Sequence, residues 1–315
     1  YPTDHIEVLV LDGGSTDSTV AIAEEHGCRV VRHDDPAHLG TYLGLAEPRM
    51  ALGVSLAQND IIAFLMSDNW MPTDQWLRQM VQPLVDDPEI VGTLTLRYGH
   101  RPDGGWVERY LALLGTSDPV AFYLNKRDRI SWAEDTPPYN GTVEDRGAYF
   151  RVRFRSDGLP PLGSNGTLVR RETLLKCDMA PERFTHSEAM QELVDLGHNT
   201  FGVVKNEITH VFRDNWATEV RKRMGFFRLY AEDRPPRRYQ LFNWRRPRDV
   251  GRLLLYLLYS LTVVKPTWDA VRGFRKRPDS AWLAHPFYCL AMTFAYGYSV
   301  TSLLVRGRRR TTAQR

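Results

Sequence analysis

Val8-Leu9-Val10-Leu11-Asp12-Gly13-Gly14-Ser15-Thr16-Asp17 decides how this chain folds. The mostly apolar, β-branched run from Ile6 to Leu11 reads as a buried strand. Gly13-Gly14 breaks the run, Ser15 to Asp17 supplies residues that cap helices, and Val20-Ala21-Ile22-Ala23 continues as a helix. Gly27 ends that helix and Arg29-Val30-Val31 starts a second strand. A β-α-β unit implies a parallel pair with a right-handed crossover. The segment from Asp12 to Asp17 then lies at the carboxyl edge of the sheet, where open α/β sheets bind their ligands.

Outward from this unit the pattern continues. A helix is expected over about 48–57, and Asp60-Ile61-Ile62-Ala63-Phe64-Leu65 is a third buried strand ending at Ser67-Asp68-Asn69. A helix with Trp76, Met80 and Leu84 on one side follows, then a strand from Ile90 to Leu96. Residues 99–161 carry no clear period and read as a substrate-side region. Order returns at Gly163-Ser164-Asn165-Gly166, a turn before the strand at Thr167-Leu168-Val169. A helix with Met190, Leu193 and Val194 on one face spans about 187–196 and is closed by Gly197. Strands are expected at 200–204 and 208–210.

From Arg221 the composition changes to a basic belt (Arg221-Lys222-Arg223, Arg237-Arg238, Arg245-Arg246) interleaved with aromatics. Two apolar segments follow. Residues 253–264 are too few to span a bilayer, which takes about 20 apolar residues. Residues 281–305 are enough but contain His285 and Pro286. Basic clusters stand on both sides of this segment, whereas a spanning helix shows a one-sided bias. The pattern favours helices lying in the cytoplasmic membrane interface against anionic lipid. The alternative is a helical pair packed on the protein itself. The expected domains are 1–220 and 221–315.

The 315 residues suffice for one large α/β domain and an appendage, and 43% are apolar. A net charge of +3 is too small for a general nucleic-acid binder. Cys28, Cys177 and Cys289 show neither metal spacing nor a disulfide framework, which suits a reducing compartment. The chain opens on Tyr1-Pro2 and leads straight into a strand, so a preceding strand of the fold is expected to be missing.

Asp12-Gly13-Gly14-Ser15-Thr16-Asp17-Ser18-Thr19, after a strand and opening a helix, resembles the nucleotide-binding signature of family-two glycosyltransferases. The resemblance runs to about Trp216, and the tail resembles members with membrane-associated C-terminal helices. It implies a GT-A-like α/β domain with a mainly parallel central sheet, Rossmann-like in its nucleotide half. It also implies inverting, metal-assisted transfer from a nucleoside-diphosphate sugar to a lipid-linked glycan, a polyprenyl phosphate or a nascent polysaccharide at the cytoplasmic face of the membrane. On the family pattern, Asp12, Gly14, Ser15, Asp17 and Asp34 face the nucleotide. Gly13 stands where a second acid is usual. Arg49 and Gly53 match a helix start beneath the nucleotide, and a planar guanidinium suits phosphate oxygens. Ser15 and Asp17 read equally well as helix caps.

The family's Asp-x-Asp metal motif holds Mg²⁺ or Mn²⁺ against the diphosphate. Here it reads Met66-Ser67-Asp68, which leaves Asp68 with Asn69 beside it. One carboxylate with phosphate oxygens suffices for a cation that keeps few protein ligands. His210 matches a position that reaches the metal or diphosphate in several members. Asn165 and Gly166 match the loop beside the donor sugar. Aligning on Gly197 puts Thr185-His186 at the usual Glu-Asp pair and Glu188 at a later acid, so the base is His186 or Glu188. Thr185 and Glu188 also fit a capping box. A phosphate acceptor would need no base. The departures at Gly13, Met66 and His186 keep open a catalytically impaired relative that binds nucleotide sugars or acts as a scaffold. A dinucleotide oxidoreductase is a poor third reading, because Gly13-Gly14-Ser15 does not fit Gly-x-Gly-x-x-Gly, and failure to bind NAD would close it.

Overall fold

The computed structural model describes residues 5–32, 46–180, 183–211, 215–232 and 237–313. The opening strand is β1 (Leu9–Leu11), and α1 (Thr19–Glu25) carries the chain to β2 (Arg29–Val31). β1 and β2 pair in parallel, Leu9 beside Arg29 and Leu11 beside Val31. After α2 (Ala46–Leu56) come β3 (Ile61–Phe64), β4 (Asn69–Trp70), α3 (Trp76–Asp86) and β5 (Gly92–Tyr98). Next are α4 (Trp106–Leu114), α5 (Pro119–Leu124), β6 (Gly141–Asp145), β7 (Tyr149–Phe154) and β8 (Thr167–Arg170). The remainder is α6 (Arg171–Leu174), α7 (His186–Asp195), β9 (Thr200–His210), α8 (Trp216–Glu232), α9 (Pro247–Thr262), α10 (Val264–Lys276) and α11 (Ala284–Ala313).

The α/β class is as expected, with parallel pairing between β1 and β2. A seven-stranded sheet runs β3-β8-β5-β9-β7-β6, with β4 pairing β9. Its registered pairs β3–β8, β5–β8, β6–β7 and β7–β9 are antiparallel. β6 and β7 form a hairpin closed at Arg146, Gly147 and Ala148, and a short connection of that kind can only join antiparallel strands. Trp76, Met80 and Leu84 are buried together at helical spacing. Trp76 Nε1 donates to the Glu207 carbonyl at 3.0 Å. The two strands expected at 200–204 and 208–210 are one strand, β9. Lys205 to Glu207 lose apolar character but keep backbone pairing, as Lys205 N donates to the Ala148 carbonyl.

The chain divides into two compact units, one of residues 1–96 and 139–208, the other of 97–138 and 209–315. This differs from a single boundary at 220. Residues 97–138 group with the C-terminal helices because α4 and α5 share their core. Tyr110, Leu113 and Leu114 pack with Trp282, Tyr288 and Met292. Val120 and Leu124 pack with Tyr256 and Cys289. The charges in this stretch are buried and paired. Lys126 Nζ lies 2.7 Å from Asp249 Oδ2, Arg127 pairs with Glu134, and Arg129 lies over the Tyr98 ring.

Pro286 falls in the first turn of α11, where no helical N–H is lost, so it does not interrupt the helix. His285 is fully buried, with Tyr110 Oη 2.7 Å from Nδ1 and Tyr123 Oη 3.1 Å from Nε2. Among the described residues, Ser280–Val305 is the one stretch long and apolar enough to cross a bilayer, and 28% of its apolar window is buried in protein.

Asp279 ties the start of this stretch to α4. Its carboxylate lies 2.7 Å from His100 Nε2 and 3.1 Å from Arg109 Nη1, and it accepts from Ala281 N at 2.7 Å. Burial pushes its pKa up. The Ala281 amide, His100 and Arg109 outweigh this and hold it below the ordinary value of 3.8. The ionised group therefore contributes stability above that value, and the contribution is lost as pH falls through the lower folded value. Asp279→Asn should lower the stability of the second unit at pH 7 by about 2–3 kcal/mol, since His100 and Arg109 lose a charged partner. It should also flatten the acid loss below pH 4. Urea titrations at pH 7 and in acid check both, and an unchanged midpoint at pH 7 would refute the assignment.

Candidate functional site

The site is built from the contact of α2 with β1. Gly53 lies so close to Leu11 that a Cβ there would stand 2.8 Å from Leu11 Cδ1. Arg49 is one turn earlier on the same helix face. Its guanidinium therefore reaches the loop after β1, where a Cβ on Gly13 would lie 1.8 Å from Nη1. The space of a second acidic side chain is filled by Arg49. Among the described residues, no carboxylate lies within ion-pair distance of this guanidinium.

Asp12 is buried, and its two oxygens accept from Gly14 N and Ser15 N, each at 3.0 Å. The carboxylate thus orders the turn that carries Gly13 beneath Arg49, with Gly14 in the left-handed region at φ 97°. Asp17 is exposed and accepts from Thr19 N at 3.0 Å and Thr19 Oγ1 at 2.6 Å. The Thr19 hydroxyl foremost holds its carboxyl below the usual value. Asp17 holds Thr19, the first residue of α1, from outside the helix, and the N-cap residue Ser18 makes no side-chain capping bond. Ser15 is exposed, and Asp34 lies outside the described residues.

A second loop follows β3. Asn69 closes it from both sides: its backbone N donates to the Met66 carbonyl at 2.9 Å and its Oδ1 accepts from Met66 N at 3.1 Å. The side-chain oxygen of Asn69 is therefore turned to the backbone. Asn69 Nδ2 lies 3.3 Å from Asp68 Oδ1 and 3.2 Å from Asn165 Oδ1. This joins the expected metal loop to the expected sugar loop. Asn165 is left-handed at φ 50°, a conformation asparagine tolerates well. Gly166 (φ 76°) has Ile208 and Trp76 pressed against it.

His186 is the first residue of α7. Thr185 Oγ1 accepts from Glu188 N at 3.2 Å, so the first half of the capping box is formed. The His186 ring points to α2, with Nδ1 2.9 Å from Glu47 Oε1 and both side chains about one-fifth exposed. The contact is close but not an aligned hydrogen bond. The backbone and Cβ of His186 abut Gly163, where a Cβ would stand 2.9–3.0 Å from them. The first unit thus links Gly13, Arg49, Glu47, His186, Gly163, Asn165, Asn69 and Asp68 in one run of contacts. His210 belongs to the second unit, where its ring centroid is 5.8 Å from that of Tyr98. Arg223 of the basic belt donates to buried Glu219 at 2.7 Å.

Two elements escaped the sequence reading. Glu47 carried one signal, an acid in a helix's first turn two residues before Arg49. The bridge made by Asn69 joins residues 96 positions apart and carried none. As a metal centre the described residues offer Asp68, and no group of three or more His, Cys, Asp or Glu gathers among them. That donor set fits only a cation held mainly by phosphate oxygens and water. A polar cavity of about 560 Å³ lies among Glu89, Arg153, Arg170, Lys176 and His198 and includes none of the residues above.

The description "Glycosyl transferase family 2" belongs to the family model that matches residues 2–156. No curated protein matches the sequence. Similar solved structures include glucosyl-3-phosphoglycerate synthase from Mycobacterium tuberculosis in complex with Mn²⁺ and uridine-diphosphate-glucose. That match has 18% identity over 71% of this chain and 66% of that one, with a TM-score of 0.44. The same enzyme with phosphoglyceric acid matches at 19% over 66% and 62%, TM-score 0.39. A structure described as a mycobacterial protein matches at 21% over 68% and 59%, TM-score 0.42. The chain spans less than two thirds of the length of each. Likeness at this level carries no information on substrate.

Two glycine substitutions separate structural from binding roles in these loops. Gly166→Ala should cost about 1–3 kcal/mol, because its Cβ meets buried Ile208 and the buried Trp76 ring at a left-handed φ. Gly13→Ala should stay within about 0.5 kcal/mol, since only the flexible end of Arg49 must move. Thermal melts of the two variants decide; equal losses would contradict the contacts described.

Proposed function

We propose, on the premise that this chain belongs to glycosyl transferase family 2 through residues 2–156, that it moves a sugar from a nucleoside-diphosphate sugar to an acceptor at the membrane surface, with inversion. The observation that carries the reading is the Arg49 guanidinium set over Gly13 at the sheet edge. It is a planar cation without a carboxylate partner among the described residues, held where a diphosphate would lie. Asp12 orders that loop. Asn165, tied to Asn69, faces the donor sugar in this reading. Asp68 would hold Mg²⁺ or Mn²⁺, which when bound offsets charge on the departing diphosphate. Isothermal titration of UDP and GDP with and without Mn²⁺ tests the donor side. Wild type should gain affinity with metal, and Asp68→Ala should lose that gain. Unchanged metal dependence in the variant would remove Asp68 from the site.

A membrane surface is supported by the C-terminal helices. Leu254, Leu258 and Leu261 on α9, Val264, Trp268 and Val271 on α10, and Phe287 and Phe294 on α11 are exposed. Within each helix they recur at helical spacing. Arg245, Arg248, Arg272 and Arg275 are exposed on the same helices and the segment before them. Apolar stripes beside arginines suit the interface of an anionic bilayer. The protein should co-sediment with phosphatidylglycerol vesicles more than with phosphatidylcholine vesicles. The binding should weaken in Leu258→Glu/Trp268→Glu and at high salt. No binding to either vesicle overturns this part of the reading.

A second reading, a catalytically impaired relative that binds nucleotide sugars or acts as a scaffold, rests on Gly13, Met66 and His186 standing at positions where the family places acids. Transfer or hydrolysis of a nucleotide sugar by the wild-type chain rejects it.

A further inference from the structure

We infer that Glu47 is a positioning residue that makes His186 the general base, and hence that the acceptor presents a neutral hydroxyl rather than a phosphate. The inference rests on the glycosyltransferase reading above. His186 occupies a place where family members carry a carboxylate base. A lone histidine at a helix start is ordinary; this one has a carboxylate brought to it from a different helix. Nδ1 is shielded from solvent and lies 2.9 Å from Glu47 Oε1. Although the contact is not aligned as a hydrogen bond, a carboxylate this close to Nδ1 favours the proton on that nitrogen electrostatically and leaves Nε2 as the acceptor, the arrangement a histidine base requires.

The placement follows from α2. Glu47 and Arg49 are two residues apart on one helix, so they point to different sides. Arg49 covers Gly13, and Glu47 reaches His186. One short helical turn therefore serves the diphosphate end and the acceptor end at once. His186 in turn abuts the loop of Gly163 and Asn165, which Asn69 ties to Asp68. Glu188, the other candidate base, contributes its backbone N–H to the Thr185 cap two residues further along α7.

In the transfer step the acceptor O–H gives its proton to His186 Nε2 as its oxygen bonds to the anomeric carbon. The bond from that carbon to the diphosphate oxygen breaks, and the nucleoside diphosphate leaves with the electron pair. The imidazolium formed is stabilised by Glu47 across the Nδ1 contact. A phosphate acceptor is already anionic and would give this dyad nothing to do.

The test uses the full chain in three arms. ¹⁵N NMR of histidine-labelled protein should show His186 with its proton on Nδ1 in wild type, and a shift toward a tautomer mixture in Glu47→Gln. With a nucleotide sugar and a glycan acceptor, Glu47→Gln should lower kcat by about 10- to 100-fold with donor KM within twofold. Glu47→Asp should recover part of the loss. His186→Ala should lose about 10²–10⁴-fold. Polyprenyl phosphate should not replace the hydroxyl acceptor. Wild-type-like kcat in Glu47→Gln, or transfer to polyprenyl phosphate that survives His186→Ala, overturns the dyad while leaving the glycosyltransferase reading intact. Failure of the wild type to bind any nucleotide sugar overturns both.

Discussion

Where α2 meets β1, Gly53 lies against Leu11 with no room for a side chain between them. That approach fixes the depth and the rotation of the helix. The helical period then does the rest. Arg49, one turn earlier on the same face, arrives over the loop after β1, and Glu47, two residues further back, faces His186. A larger residue at position 53 would push the helix outward and withdraw both charges together. The loop answers this constraint from its own side. Asp12 spends both oxygens on Gly14 and Ser15, and Gly13 offers the guanidinium an open backbone.

The departures from the signature that the sequence resembles have physical sense in this setting. An acid at position 13 would begin with a Cβ where Arg49 Nη1 stands, so Gly13 and the Arg49 pose belong together. At position 66 a methionine brings no ligand, but its backbone N–H and carbonyl are both taken by Asn69, which stiffens the loop that presents Asp68. At position 186 a histidine stands near a carboxylate supplied by another element. Two of the three changes are thus matched by a compensating contact on α2, and the third by a brace within its own loop.

The second unit is organised by different physics. Lys126, Arg127, Asp128 and Arg129 are all buried. Burying a charge is costly unless it is paired. Asp249, Glu134 and the Tyr98 ring provide the partners. On the same unit, leucines and aromatics of α9, α10 and α11 remain exposed. The unit thus shelters Lys126, Arg127 and Arg129 in its interior while those apolar side chains stand at its surface beside Arg245, Arg248, Arg272 and Arg275.

The sequence determined the β-α-β opening, the helices expected over about 48–57 and 187–196, the strand before Asp68 and the helical tail. Each of these is written in a local period or a local break, and local periods survive without knowledge of neighbours. It also carried the candidate residues themselves, since motif order places Asp12, Arg49, Asp68, Asn165 and His186. Tertiary structure decided what those residues do to one another. The antiparallel pairing of the larger sheet and the partners of Lys126 to Arg129 depend on contacts between distant positions. So do the turning of the Asn69 oxygen to Met66, the bridge to Asn165, and the meeting of Glu47 with His186. Two side chains 139 positions apart leave no mark in any local pattern of the chain, because only the folded packing of α2 and α7 brings them within 2.9 Å.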